Sequence, residues 1–231
     1  MNIPRVEALI QARMSSRRLP GKVLRPLAGR PLIFRIVDRL CLARAIDGFS
    51  VVTSLDPSDD ILAEACRSEG VSVERGSLDN VARRLWEAAD RRGLDALVRL
   101  NGDSPFLDPQ LIDGAVRAYR EGEWDVVTNV FPRSFPRGQS VEVVRATSLE
   151  LAIARMKEPE EAEHVTRYFY THAEEFRIRN LVSPEPSGDV SLCVDTPEDW
   201  SRAEWIAARL SPGRGWREVL RLARSCPEAV G

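Results

Sequence analysis

Apolar runs and amphipathic segments alternate along the first 130 residues of the chain. Residues 6–11 have the pattern of a buried strand, and residues 31–43 follow with apolar side chains at helical spacing. The alternation continues with predicted strands at 49–53, 71–75, 96–100 and 124–130 and predicted helices at 58–69, 79–92 and 109–119. Repeated strand–helix units predict an α/β fold with a mostly parallel, Rossmann-like sheet flanked by helices.

The pattern changes after residue 130. Residues 131–138 are irregular, 140–144 and 177–182 resemble strands, and 147–156 and 160–176 resemble helices. Within a single domain of residues 1–231, we predict a small inserted α+β subdomain over 131–182 that caps a cleft or forms a dimer interface. Residues 191–195 are predicted to return to the core sheet. A helix from residue 197, with Trp200 and Trp205 in the core, and a terminal helix over 216–229 complete the prediction.

Composition limits the classes of partner. A length of 231 residues suits one large domain, and 33 Lys+Arg against 35 Asp+Glu give a formal net charge of -2. That balance argues against a general affinity for nucleic acid or for an anionic membrane, and no apolar run reaches the roughly 20 residues of a membrane span. Any site for an anion must therefore be local.

The cysteines and histidines point away from a structural metal or disulfide framework. Four cysteines lie far apart without a C-x-x-C motif, and the chain has only two histidines, His164 and His172. Any metal would need carboxylate ligands. Free thiols, together with an N-terminus that lacks the layout of a signal peptide, predict a cytoplasmic location.

A basic loop follows the first predicted strand. It contains Gly21, Pro20, two serines and five cations: Arg13, Arg17, Arg18, Lys22 and Arg25. Cations and accessible backbone N–H groups at the end of a strand fit a polyphosphate. The loop is not a common phosphate-binding loop, because it lacks both Gly-Lys-Ser/Thr and G-x-G-x-x-G. A solvated basic loop is the equally weighted alternative.

Two aspartates follow buried predicted strands at the same edge of the sheet. Asp103 and Asp195 opposite a basic loop would form a metal–polyphosphate site, since Mg²⁺ takes one or two carboxylates plus substrate phosphates. Singly, each aspartate also suits a turn or helix cap. Glu142, within an apolar strand, either binds substrate hydroxyls or faces outward. His164 and Thr166 either touch substrate or lie on a structural helix surface.

Five motifs in order resemble the sugar cytidylyltransferase family, most of all its spore-coat-polysaccharide (SpsF-like) branch. That branch is related to the synthetases that make CMP-KDO and CMP-sialic acid. The motifs are IQARMSSRRLPGKVL at 10–24, RLNGDSP at 99–105, PRG at 136–138 with VEV at 141–143, EHVT at 163–166, and VDTPED at 194–199. The resemblance extends to about residue 205, and its first motif is the most specific.

The resemblance implies a nucleotide-diphospho-sugar transferase fold and a reaction of CTP with an acidic sugar that gives CMP-sugar and pyrophosphate. Mg²⁺ is the implied cofactor, a homodimer is expected through the inserted segment, and surface glycan synthesis is the expected pathway. The implied catalytic residues are Arg13, Lys22, Asp103 and Asp195, and the two aspartates are the metal ligands. The implied nucleotide-binding residues are Gln11, Ala12, Arg13, Ser15, Ser16, Arg17, Lys22, Arg99, Asn101 and Gly102. The implied acceptor-binding residues are Arg137, Gln139, Glu142, His164, Thr166 and Arg167.

Two departures from the branch pattern fall in the implied acceptor region. Gln139-Ser140 stand where a hydrophobic residue and Asp are usual, and Arg167 stands where Pro is usual. They motivate a second hypothesis, a cytidylyltransferase whose acceptor carries a phosphate or phosphonate that Arg167 meets. A third hypothesis is a non-catalytic nucleotide-binding protein, which the presence of all four implied catalytic residues disfavours.

Overall fold

A computed structural model describes residues 3–16 and 18–227. The strands are β1 Val6–Gln11, β2 Pro26–Leu27, β3 Arg30–Pro31, β4 Gly48–Ser54, β5 Val73–Gly76, β6 Ala96–Asn101, β7 Val126–Thr128, β8 Glu142–Arg145 and β9 Ile178–Asn180. The helices are α1 Leu32–Leu40, α2 Asp60–Ser68, α3 Val81–Arg91, α4 Pro109–Arg120, α5 Ala146–Arg155, α6 Pro159–Glu163, α7 Arg167–Thr171, α8 Pro197–Ala207 and α9 Trp216–Ser225. Short 3-10 turns lie at Pro57–Asp59 and Ala173–Glu175.

Seven strands form one sheet in the order β5-β4-β1-β6-β8-β7-β9, and β2 and β3 form a separate hairpin. Only β8 pairs antiparallel with its neighbours in the seven-stranded sheet. The predicted α/β fold with a mostly parallel sheet and flanking helices is therefore confirmed. No helix in the described ranges has the length and apolar character needed to cross a bilayer.

Side chains alternate between the two faces of the sheet. Ala8 and Ile10 of β1 pack in a core with α1, α2, α4, α8 and α9, whereas Leu9 packs in a second core with α3, α5 and α7. This period of two also places a row of polar side chains on the α3 face, where the strands end. Trp200 is buried as predicted, and Trp205 packs at the edge of the same core.

The segment 131–182 is continuous with the central sheet. Its strands β8 and β9 pair with β6 and β7, so the α+β elements predicted for a small subdomain extend the main sheet. The predicted helix over 160–176 is wrong in extent, because α6 ends at Glu163 and α7 begins at Arg167. Between them the chain turns to bury Val165 in the second core and leaves His164 exposed.

Residues 191–195 do not form a strand of the central sheet as predicted. They run extended, with one isolated bridge between Arg137 and Ser191 and a hydrogen bond from Val194 N–H to Asp103 O (2.9 Å). The predicted terminal helix ends at Ser225, and its proposed last residues 228–229 lie outside the described part of the chain. The extended segment matters because it brings Asp195 beside the end of β6.

Candidate active site

The carboxyl ends of β1 and β6 meet at the switch point of the sheet, where successive connections turn in opposite directions. Such points form ligand crevices in open α/β sheets. The Gly102 N–H donates to Gln11 O at 2.9 Å, and a Cβ atom at position 102 would lie 2.8 Å from Ala12 Cβ. Glycine is therefore required for this close approach. A cleft of about 440 Å³ opens above it.

The basic loop is anchored at both of its ends. The Met14 N–H donates to Oδ1 of the fully buried Asp59 (2.7 Å), and the Gly21 N–H closes the loop on Met14 O (3.0 Å). Gly21 has φ +70°, a left-handed conformation that glycine adopts without strain. The loop thus holds Arg13, Arg18 and Lys22 at the cleft.

Lys22 and Asp195 form an ion pair at the base of the loop. Lys22 is only 7% exposed, and its Nζ donates to Val194 O (2.7 Å) and to Asp195 Oδ1 (2.8 Å). Arg18 approaches the other oxygen of Asp195, with Nη2 to Oδ2 at 2.9 Å. The loop and the extended segment are therefore held together by charge across the cleft.

Asp103 lies beside this pair. Burial raises the pKa of the Asp103 carboxyl, and the negative charge of Asp195 adds to that rise, while Lys22 and a hydrogen bond from Ser104 Oγ (2.8 Å) oppose it. Two carboxylates thus share one site and repel each other. A cation beside Asp103 would stabilise its ionised form.

The two aspartates fit Mg²⁺. Mg²⁺ is bound in proteins by one or two carboxylates together with substrate phosphates, and the mutual repulsion of Asp103 and Asp195 is what a divalent cation relieves. Across residues 3–16 and 18–227, no group of three or more His, Cys, Asp or Glu side chains could hold a metal ion by itself. A metal ion at this pair would therefore need further ligands from outside the protein, and Asp195 would share its oxygens with Lys22 and Arg18.

Arg84 of α3 also lines the cleft, and the sequence analysis missed it. It is only 2% exposed, Nη1 donates to the carbonyls of Ser77 and Leu78, and Nε is buried without a partner in the described structure. Burial lowers the pKa of its guanidinium, and nearby Arg13 adds to that lowering. The sequence did indicate this residue, because a charged Arg84 on the apolar face of α3, which also carries Val81, is unusual in a core helix.

A second pocket of about 260 Å³ adjoins the cleft, and the two share Arg99, Asn101 and His164 as lining residues. Arg99 crosses this boundary: Nε donates to Gln11 Oε1 (3.0 Å) and Nη1 to Glu142 Oε2 (2.5 Å). The cross-strand register places Arg99 opposite Glu142, so the pair follows from the pairing of β6 with β8. Glu142 is 3% exposed.

Tyr170 completes the polar row, and sequence reasoning missed it as well. Its hydroxyl donates to Glu142 Oε1 (2.5 Å) and lies 2.9 Å from Thr128 Oγ1. Burial raises the pKa of the Tyr170 hydroxyl well above its usual value, and the charge of Glu142 adds to the rise. Both oxygens of Glu142 are therefore already bonded, one to a guanidinium and one to a phenol.

The structure brings most of the predicted site residues to these two cavities. The cleft is lined by the predicted residues Gln11, Ala12, Arg13, Ser16, Lys22, Arg99, Asn101, Gly102, Asp103, His164 and Asp195. The second pocket is lined by the predicted residues Arg99, Asn101, Glu142, His164, Thr166 and Arg167. Arg18, Arg84, Arg133, Ser140 and Tyr170 join them without having been assigned to either site.

Other predicted residues are not brought to the site. Gln139 is fully buried, with Oε1 accepting from Asp108 N–H (2.9 Å) and Nε2 donating to Phe106 O (2.7 Å), and it lines neither cavity. Arg137 and Ser15 are both exposed, and neither lines a cavity. Arg17 lies outside the described residues.

Arg167 lies at the second pocket but is exposed, and its Nη1 pairs with Glu160 Oε2 at 2.5 Å. Its charge is therefore matched by the protein. Arg13 similarly reaches Glu163, with Nη2 to Oε1 at 3.4 Å. Among the candidate cations, these two have partners on the segment that follows α5.

The chain is similar to known sequences and structures over nearly its whole length. Residues 8–207 match the sequence model of the Cytidylyltransferase family. The spore coat polysaccharide biosynthesis protein SpsF of Bacillus subtilis (strain 168) is 34% identical over 234 residues, which cover 96% of this chain and 95% of that protein. A cytidylyltransferase structure from Leptospira borgpetersenii serovar Hardjo-bovis has a TM-score of 0.90 at 30% identity, covering 96% of this chain and 94% of that one.

A more distant structure shares the fold. It is a CMP:2-keto-3-deoxy-manno-octonic acid synthetase complexed with CTP, with a TM-score of 0.71 at 19% identity over 89% of this chain and 99% of that chain. The matched family model spans both the basic loop and the two aspartates. The chain therefore belongs to the cytidylyltransferase family and is a nucleotidyltransferase with the nucleotide-sugar transferase fold.

Proposed function

We propose that the protein transfers CMP from CTP to a hydroxyl group of an acidic sugar, with Mg²⁺, and releases pyrophosphate. The observation that carries the proposal is the junction of two cavities. One holds Lys22, Asp103 and Asp195, the other holds Glu142, and they share the wall that contains Arg99. A triphosphate in the first cavity and an acceptor in the second would place their reacting atoms at that wall.

The reaction is a displacement at the α-phosphorus of CTP. The acceptor oxygen forms a bond to phosphorus as the bond to the pyrophosphate oxygen breaks, and the hydroxyl proton passes to solvent. Such transfers depend on positioning and on neutralising charge more than on a protein nucleophile. Lys22 and Arg18 are already held at the cleft, and Arg13 at its rim, where negative charge would grow on the departing pyrophosphate.

Asp103 and Asp195 would hold Mg²⁺, which when bound neutralises phosphate charge and acidifies a coordinated hydroxyl. The Gln11 and Asn101 side chains and the Ala12–Gly102 approach would form the floor under the nucleotide. The choice of cytosine rests on family membership and on the CTP bound to the distant relative.

The alternative acceptor with a phosphate or phosphonate group keeps part of its original support. Of the residues that motivated it, Gln139 is buried and Arg167 is paired with Glu160, whereas Ser140 lines the second pocket. That acceptor class is kept as an arm of the test. The relative from Bacillus subtilis acts in spore coat polysaccharide biosynthesis by its name, and we infer a comparable role in surface polysaccharide synthesis. Three expectations stay predictions. They are a homodimer, the use of residues 131–182 for acceptor binding and dimerisation, and a cytoplasmic location.

The test measures pyrophosphate release with each of the four NTPs and Mg²⁺, across sugar acids, their neutral analogues and one phosphorylated and one phosphonate acceptor. We expect release with CTP and a sugar acid, and a loss of at least about 100-fold in Asp103→Asn and Asp195→Asn. Arg221→Gln is the control, because Arg221 lies on α9, lines neither cavity and pairs, among the described residues, with neighbouring Glu218. Release with another NTP or only with the phosphorus-bearing acceptors would contradict the proposal.

A further inference from the structure

Arg133 is a half-buried cation in the wall of the second pocket that no carboxylate matches. Its Nη1 donates to Ser140 Oγ at 3.1 Å, and in the described structure this is the one hydrogen bond of its side chain. A guanidinium has five N–H donors, so four of them have no protein partner there. No described carboxylate oxygen lies within 4.0 Å of it.

The unmatched charge of Arg133 is partly shielded from solvent. Burial lowers the pKa of its guanidinium, and Arg137 adds to that effect, while Glu142 opposes it from beyond ion-pair distance. Glu142 has no oxygen left without a partner, because Arg99 and Tyr170 each bond one. A side chain held in this state is stabilised when an anion enters the pocket.

The pocket lining carries three guanidiniums and one carboxylate, and among these described residues one guanidinium has no ion-pair partner. Arg99 is matched by Glu142, and Arg167 is matched by Glu160 at the rim. Arg133 remains as the single guanidinium without a counter-charge among the described lining residues. The pocket therefore suits a ligand with one negative charge, such as a carboxylate, better than a phosphomonoester that carries nearly two.

Arg133 is also fixed in place by the chain around it. A Cβ atom at Gly188 would lie 3.1 Å from Arg133 Cγ and 3.2 Å from its carbonyl oxygen, so the 183–190 segment packs directly on the stem of the arginine. The next residue, Ser134, accepts from Ser187 N–H through its carbonyl (2.8 Å) and from Ser183 N–H through Oγ (2.8 Å). The backbone and stem of Arg133 are thus held by protein contacts, and the guanidinium itself is held by its hydrogen bond to Ser140 Oγ.

The position of Arg133 indicates how a bound acceptor would be oriented. Arg133 lines only the second pocket, whereas Arg99, Asn101 and His164 face both cavities. Resting on the proposed function, we propose that Arg133 binds the carboxylate of the acceptor and selects monoanionic acceptors, with the reacting hydroxyl directed to the shared wall. Arg133, rather than Arg167 or Arg137, is then the residue that distinguishes an acid from its neutral analogue.

The test compares Arg133→Gln and Arg133→Lys with the wild type and with the control Arg221→Gln. The acceptors are a sugar acid and its methyl ester or amide, assayed at saturating CTP. In Arg133→Gln we expect the KM for the acid to rise about 10- to 100-fold, as for the loss of a hydrogen bond to a charged group, and the preference for acid over ester to disappear. Arg133→Lys should recover part of the preference, and the KM for CTP should stay within about twofold, which also shows that the variant is folded.

Equilibrium binding of the same acid and ester in the presence of CMP separates this inference from the proposed function. Acid binding that depends on Arg133, without any pyrophosphate release by the wild type, would support the inference and overturn only the reaction. An unchanged preference for the acid in Arg133→Gln would overturn the inference while leaving the reaction intact. Failure of every tested acid to bind the wild type would overturn the inference too.

Discussion

Glu142→Gln replaces a buried carboxylate with an amide of nearly the same shape. In the wild type, Glu142 Oε2 accepts from Arg99 at 2.5 Å and Oε1 accepts from Tyr170 at 2.5 Å, and the Arg99 and Glu142 side chains are 12% and 4% exposed. Glutamine has one carbonyl oxygen for these two donors. Arg99 would therefore keep its charge in the wall between the cavities without a counter-charge.

The expected loss of stability follows from that geometry. Removing one partner of a buried ion pair costs about 3–5 kcal/mol, and the remaining amide oxygen keeps one of the two hydrogen bonds, so we expect a loss of about 2–4 kcal/mol. Screening by solvent reduces this little, because both side chains are nearly buried. At roughly 2–4 °C per kcal/mol for a domain of this size, the melting temperature should fall by roughly 5–15 °C.

A matched control lies at the opposite end of the sheet. Glu7 of β1 is 2% exposed and pairs with Arg92 and Arg5, both at 2.7 Å. Glu7→Gln should also lower stability, by about 1–3 kcal/mol, because its partners are more exposed than Arg99. Glu7 lines neither cavity, so the KM values of Glu7→Gln for CTP and for the acceptor should stay unchanged.

The assay is urea unfolding of the wild type and both variants, followed by acceptor kinetics on the folded proteins. Glu142→Gln should lower stability and also change the KM for the acceptor, whereas Glu7→Gln should lower stability alone. Unchanged stability in Glu142→Gln would refute the assignment of Glu142 as the required counter-charge of Arg99. An equal kinetic effect of both variants would show that the kinetics report general loss of structure.

Three further predictions address the loop, the cleft floor and the thiols. Lys22→Met removes the buried ammonium that bonds Asp195, so steady-state kinetics should show kcat/KM for CTP falling about 100-fold or more; a change below threefold would contradict its assignment to the triphosphate. Gly102→Ala places a Cβ atom 2.8 Å from Ala12 Cβ, so thermal unfolding should show a loss of stability of about 1–3 kcal/mol and calorimetry should show weaker CTP binding. Stability equal to that of the wild type would contradict the close approach. Burial raises the pKa of the Cys66 thiol to about 11, which leaves little thiolate at pH 8. Mass spectrometry after brief alkylation should therefore find exposed Cys41 labelled and buried Cys66 unlabelled, and comparable labelling of the two would contradict the packing of α2.

The elements that the sequence predicted well are those that a local run of apolar residues determines. β1 and β6 are apolar runs buried on both faces, and the basic loop and Asp103 follow directly where those runs end. The switch point then brings them together by topology alone. The fold and the nucleotide side of the site were therefore accessible from residue order.

The acceptor side depends on contacts between distant segments. The break at 164–166 arises because Val165 is buried against α3 and the sheet, which a local helical pattern does not show. Gln139 was assigned to the site from a motif position, yet its amide satisfies backbone groups near Asp108. The hydrophobic periodicity of the sequence does not mark Arg133 or Tyr170 as site residues. Their roles depend on charges and hydrogen-bond partners that the fold brings to them from distant segments.

The most direct test of the central claim is phosphorus NMR of a single mixture of the enzyme, CTP, Mg²⁺ and a sugar acid. We expect CTP to disappear while pyrophosphate and one CMP phosphodiester appear in equal amounts, and we expect Asp103→Asn to abolish both signals together. Formation of CDP and inorganic phosphate, or consumption of CTP that does not depend on the sugar acid, would contradict the central claim.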